Sequence, residues 1–136
     1  MAGMDFHGDL SDLRDDLQTI AVESKKRMRD VVRDGVKAGA MLAKDNARIS
    51  AGEHGKHYPN AITGSLHGGL GLFGNVVSGE YGPDSDLPQG DMSFEHGSRN
   101  QKPHLDLARS ADIIGPSFAQ EVRDMAEDLF WPGAST

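Results

Sequence analysis

The chain has 136 residues, a net charge of −7, 37% hydrophobic residues, 17 glycines and no cysteine. That length holds one domain. The acidic balance argues against a general nucleic-acid binder, which needs a basic face, and the missing cysteines exclude disulfides, thiolate zinc sites and cysteine nucleophiles. Few apolar residues among many glycines predict a thin core, part of it ordered by partners.

The opening residues Met1 to Phe6 hold neither a basic region nor an apolar run, so no secretory signal is expected. The longest apolar run, Ala38 to Ala43, contains Gly39 and is far too short to cross a bilayer. The expectation is a soluble intracellular protein, or one assembled inside a cell.

Leu10, Leu13, Leu17, Ile20, Met28, Val31, Val32, Val36 and Leu42 recur at spacings of three and four or their multiples, the period of an amphipathic helix. Asp9 or Ser11 is placed to cap it, and Asp12, Asp15 and Asp16 suit the positive end of a helix dipole. The pattern runs from about residue 9 to 48, and such a helix would span about 60 Å. That is more than a domain of this size can cover, so either one long helix or two in sequence is expected, the excess covered by another subunit. Gly35 and Gly39 are places for a bend or a close approach. Charge along this segment is polarised: six of the 21 acidic residues precede Lys25, and eight of the 14 basic ones fall from Lys25 to Arg48. Pairs such as Asp30–Arg33 and Asp34–Lys37 would solvate one face; the functional reading is a basic patch that meets an acidic neighbour.

Ser50 to Asn60 reads as loop. Short strands are expected from Ile62 and again up to Gly82, with Gly74-Asn75 as the turn between them, all weakened by glycine. Pro83 to Gly90, with Asp84 and Asp86, reads as a loop, and Met92 to Glu95 as a third strand. Gly97 then breaks the chain, a polar loop of Ser98, Arg99, Asn100, Gln101 and Lys102 follows, and Pro103 ends it. Leu105, Leu107 and Ala108 would return the chain to the core. A loop held at both ends is suited to contacting another molecule. Ile113-Ile114-Gly115-Pro116 reads as a break, with Pro116 opening a last helix, about 116 to 130, on an apolar face of Phe118, Val122, Met125 and Leu129. Trp131 is expected to pack on the domain. The fold class is thus α+β: a long N-terminal helix, a small antiparallel sheet with extended loops (about 62 to 108) and a C-terminal helix, in a single domain over residues 1 to 136.

His54, His57, His96 and His104 lie on loop-like sequence without helical spacing, so exposed or interface histidines are expected rather than a metal site. Glu95 and His96 are adjacent, which on a strand points them to opposite faces. No phosphate-binding, dinucleotide or serine-nucleophile motif occurs. Neither an enzyme nor a cofactor is expected.

Five segments, in this order, carry a resemblance. They are the long charged helix, Thr63-Gly64-Ser65-Leu66, Tyr81-Gly82-Pro83, Phe94-Glu95-His96-Gly97-Ser98 and Pro103-His104-Leu105, with a terminal helix after them. The chain resembles the small head–tail joining proteins (neck, or tail-completion proteins) of long-tailed bacteriophages. In that family the second segment is Thr-Gly-x-Leu, the fourth an aromatic-Glu-aromatic-Gly-Thr run and the fifth Pro-Phe-Leu. His96 and His104 stand here where the family has aromatics, which predicts a looser core beneath the loop. Glycines replace β-branched residues in the hairpin. The resemblance implies a non-catalytic virion protein at the head–tail interface, assembled in the host cytoplasm. It would form a ring, six copies favoured over twelve, with other neck and tail proteins as neighbours and no membrane. Genomic DNA would pass through without sequence-specific binding. The contacts to ring or tail partners are assigned to Pro83, Asp84 and Asp86 on one loop, and to Glu95, His96, Gly97, Ser98, Arg99, Asn100 and Lys102 on the other. A tail terminator capping the tail tube is the nearest alternative. A regulatory module whose long helix pairs with a partner helix is the alternative from another class, and a histidine-dependent metallohydrolase comes last.

Overall fold

The computed structural model describes residues 6–68 and 76–132. The first element, α1 (Phe6–Ser50), is one unbroken helix of 45 residues, about 68 Å long at the rise of an α-helix. It starts before the expected Asp9 or Ser11 cap, and Asp9 lies in its first turn, where the dipole favours an acid. A turn and the short α2 (Tyr58–Ala61) lead into β1 (Ile62–Gly68), which pairs antiparallel with β2 (Val77–Pro83) from Ile62↔Pro83 to Gly68↔Val77. The expected Gly74-Asn75 turn lies outside the described residues. A short helix, α3 (Ser93–His96), and a long one, α4 (Asp106–Phe130), complete the α+β architecture.

Two expectations fail here. Met92 to Glu95 is not a strand: the Asp91 carboxylate accepts from the Ser93 N–H at 2.8 Å and the Met92 carbonyl from the His96 N–H at 3.0 Å, which winds the segment into α3. Nor does the chain break at Ile113-Ile114-Gly115-Pro116, because α4 runs through Pro116 from its start at Asp106. Pro116 removes one backbone donor, and the residue whose carbonyl it deprives, Asp112, is exposed. Gly115 has no Cβ to clash with the proline ring, which makes a helical conformation cheap at that pre-proline position.

Helix α4 lies antiparallel along α1. Ser50 and Asn46 bond Asp106 at its start, Phe118 packs on Gly35 at its middle, and Arg27 meets Asp128 at 3.3 Å near its end. Leu129 and Met125 are buried against α1, while Phe118 is half-buried and Val122 exposed. Trp131 does not pack into the core: it is 65% exposed, with its ring 6.0 Å from that of Phe130.

The sheet lies on the same half of α1 as α4. Val36 fills the space that a Cβ on Gly64 or Gly79 would need, and the Tyr81 ring occupies the place of a Cβ on Gly39. The glycines that weaken these strands are therefore what lets the hairpin approach the helix. The core itself is small: Ala40, Ala43 and Ala47 on α1 and Ala51 just past its end, with Tyr58, Ile62 and Phe94 packed over them. Four alanines leave room for two rings, and Tyr58 and Phe94 stack at 4.5 Å, 15° from parallel.

Candidate functional site

The loop from Gly97 to Leu105 is the most sharply built feature of the surface. Gly97 ends α3 at φ +82°, a conformation glycine adopts freely. Ser98 and Gln101 then exchange backbone hydrogen bonds, at 2.9 and 3.2 Å, so Arg99 and Asn100 form the tip of a tight turn. The base is closed by His104 N–H donating to the Phe94 carbonyl at 2.8 Å and Leu105 N–H to that of Glu95 at 3.4 Å. Ser98, Arg99, Asn100 and Lys102 are exposed, and neither cation forms an ion pair among the described residues. The loop thus presents a fixed, basic tip.

What fixes it is a buried polar cluster. Glu95 is 3% exposed and its two oxygens accept from the N–H groups of Leu107 (2.9 Å) and Ala108 (3.0 Å), amides that the first turn of α4 leaves without partners. Asp106, fully buried, accepts from the Ser50 hydroxyl at 2.8 Å, and its carbonyl accepts from the Asn46 amide at 3.2 Å. One carboxylate ties the loop to α4 and the other ties α4 to α1. What re-enters the core is therefore Asp106 and Ser110, whereas Leu105 is 44% exposed and Ala108 exposed.

His104 stacks edge-on against Phe94 at 5.7 Å, and its Nε2 meets the Gln101 amide at 3.3 Å. With Gln101 donating, the neutral ring carries its proton on Nδ1, which faces Asp106 at 3.8 Å, too far for a hydrogen bond. His104 is thus part of the loop's foundation, half-buried rather than exposed, while His96 faces solvent. The Tyr58 hydroxyl is buried with no partner among the described residues. Burial first, then the negative charges of Glu95, Asp106 and Asp91, hold its pKa well above the ordinary phenol value. Tyr81 has a partner: Ser110 gives its proton to the Leu107 carbonyl at 2.7 Å, so Tyr81 donates to Ser110 at 2.8 Å.

The second loop, Asp84 to Met92, is anchored differently. Asp84 N–H donates to the Ala61 carbonyl at 2.8 Å, and the Asp84 side chain accepts from Asp86 N–H at 2.9 Å. Gln89, at φ +61°, clamps the turn after α1: its oxygen accepts from His57 N–H at 2.8 Å and its amide donates to the His54 carbonyl at 2.6 Å. At the surface this loop offers the carboxylate of Asp86, with Asp84 and Pro83 half-buried beneath it. Asp91, also exposed, is held below the usual carboxylate range by its hydrogen bonds from Ser93.

Of the ten residues assigned to contacts, Ser98, Arg99, Asn100, Lys102, His96 and Asp86 are therefore outward-facing. Glu95 is not: it supports the loop from within. Ser50, Tyr58, Gln89, Asp106 and Ser110 escaped sequence reasoning. Only Asp106, an acid directly ahead of Leu107 and Ala108, carried a local sign, that of a helix start. Among the described residues no three histidine or acidic side chains gather as a metal site, and no helix is long and apolar enough to cross a membrane. No family model, curated protein or solved structure matches the chain.

Proposed function

We propose that this protein is a non-catalytic structural component of a long-tailed bacteriophage neck, a ring that joins the DNA-filled head to the tail and lets the genome pass. The observation that supports the reading is the use the fold makes of the segments that resemble those of head–tail joining proteins. Thr63 to Leu66 lies within β1 and Tyr81 to Pro83 ends β2. Phe94 to Ser98 and Pro103 to Leu105 close the base of the projecting loop, with Glu95 capping α4. The last two segments frame one loop held at both ends, and a ring subunit needs such a loop on a small body to meet its neighbours. An acidic subunit repeated round a channel repels DNA phosphates, so the genome slides rather than sticks. The bare apolar residues of α1 and Trp131 are what neighbours in such an assembly would cover.

Electron microscopy of lysates from a phage lacking this gene tests the reading. Filled heads and finished tails lying apart are expected. Overlong or ragged tail tubes would assign the tail terminator role instead, and normal infectious particles would overturn a virion role altogether.

A further inference from the structure

Helix α4 covers one stripe of α1 and then stops. The stripe passes through Gly35, Val31, Met28 and Ser24, and beyond the end of α4 it continues through Ile20, Leu17, Leu13 and Leu10 at the same three-and-four spacing. Ile20 is half-buried, and past it the stripe is bare: Leu10, Leu13 and Leu17 are 50, 53 and 54% exposed. Asp9, Asp16 and Glu23, seven residues apart, run along one edge of this bare seam. A complementary surface exists on the same molecule. An apolar groove of about 360 Å³ lies between α1, β2 and α4, lined by Val32, Val36, Val77, Tyr81, Ile114 and Phe118. Lys25 and Arg29 share the face of α1 that carries Val32 and Val36, one to two turns nearer the N-terminus. Both are exposed and neither forms an ion pair among the described residues.

We propose that the N-terminal overhang of α1, residues 6–23, docks head to tail in the apolar groove of a second copy of this chain. The leucine seam enters the groove, and Asp9, Asp16 and Glu23 meet Lys25 and Arg29 of the neighbour. Charge selects this arrangement over the simpler one. Two overhangs pairing antiparallel would set Asp9, Asp16 and Glu23 against their own copies, a juxtaposition that opposes association. Residues 6–24 carry five acids and only Arg14, whereas residues 25–50 carry eight basic residues against Asp30, Asp34 and Asp45. The overhang's complement is therefore the middle of another copy. Such an interface is heterologous, closing into a ring or extending as a filament. The inference supplies the contact for the ring proposed above and to that extent rests on that reading.

The test is the mass of the full chain in solution, by light scattering, at low ionic strength and at about 1 M salt, where screening reaches within about 3 Å. Species larger than a dimer are expected at low salt, with an apparent Kd weakened about tenfold or more by salt. Asp9→Lys/Asp16→Lys/Glu23→Lys should be monomeric, and so should Lys25→Glu/Arg29→Glu. Mixed in equal amounts the two variants should assemble again, because each now carries the surface the other needs. All these positions are exposed, and unchanged far-UV circular dichroism checks the fold. Leu13→Ser/Leu17→Ser should be monomeric at either salt. A monomeric native chain, a dimer that goes no further, association strengthened by salt, or a mixture that stays monomeric would each overturn the proposal. Head-to-tail assembly by a protein absent from purified virions would keep this inference and remove the neck reading; a solution monomer found in virion necks would do the reverse.

Discussion

The two halves of α1 share one stripe and one helical period but live in different surroundings. From Ser24 to Ser50 the helix is sheathed by α4 and the hairpin, and Ala43 and Ala47 are fully buried. From Asp9 to Thr19 every residue of the helix is exposed, and its leucines are half in water. Burial therefore does not decide where this helix ends. An isolated helix of eighteen residues would be marginal; here the covered half supplies the nucleus and the bare half need only propagate from it. Leucine, glutamine and arginine are good helix formers, and Asp9 suits the dipole. The covered half makes the fold, and the bare half costs the fold little to keep or lose.

The largest test of that contrast lies where the covered half ends. Glu95→Ala removes two charge-assisted hydrogen bonds from a buried carboxylate and leaves two amides of α4 without partners, so a loss of about 3 kcal/mol is expected in urea unfolding. A cost indistinguishable from that of Asp12→Ala, on the exposed overhang, would mean that the cluster does not hold the loop. Gly39→Ala comes next. A methyl there meets the Tyr81 ring, and the hairpin must lift from α1, at about 1–3 kcal/mol. On the bare half the sign of expectation changes: Leu13→Ala/Leu17→Ala should cost the isolated monomer less than about 1 kcal/mol, because the side chains lose little burial. Amide exchange reads the same contrast without mutation, with residues 8–20 exchanging far faster than residues 39–47.

The long helix and the two glycine-rich strands were legible in the sequence because both depend on local period. The start of α4 was not. Apolar spacing marks a helix by its greasy face, but the first turns of α4 bury Asp106 and Ser110, and the Gly115-Pro116 pair imitates a helix boundary. The strand expected at Met92 failed for a similar reason, since Asp91, a side chain just outside the segment, winds it into α3. In the loop from Gly97 to Leu105, glycine and proline revealed its limits, while its anchor needed the fold: Glu95 reaches Leu107, twelve residues on, and Ser50 reaches Asp106 from the far end of α1. Periodicity also drew the stripe on α1 in full, yet it could not say where α4 would stop covering it.

The smallest expected effect probes the covered end through one hydroxyl. Tyr58 stacks on Phe94 and buries its Oη without a partner near Glu95 and Asp106. Tyr58→Phe keeps the ring contact and removes a buried group that makes no hydrogen bond, so stability at pH 7 should hold or rise by up to about 1 kcal/mol. The same residue sets an alkaline limit. Its pKa is raised in the fold, so above the ordinary tyrosine value of about 10 the unfolded chain sheds that proton while the folded chain keeps it. The folded state then binds more protons, and stability falls with pH, by at most about 1.4 kcal/mol per unit from this group. Below that value it contributes no slope. Urea unfolding between pH 8 and 11 should therefore show a decline that Tyr58→Phe flattens. A Tyr58→Phe protein that loses stability at pH 7 would mean that the hydroxyl has a partner, and that the covered end is wetter than its packing implies.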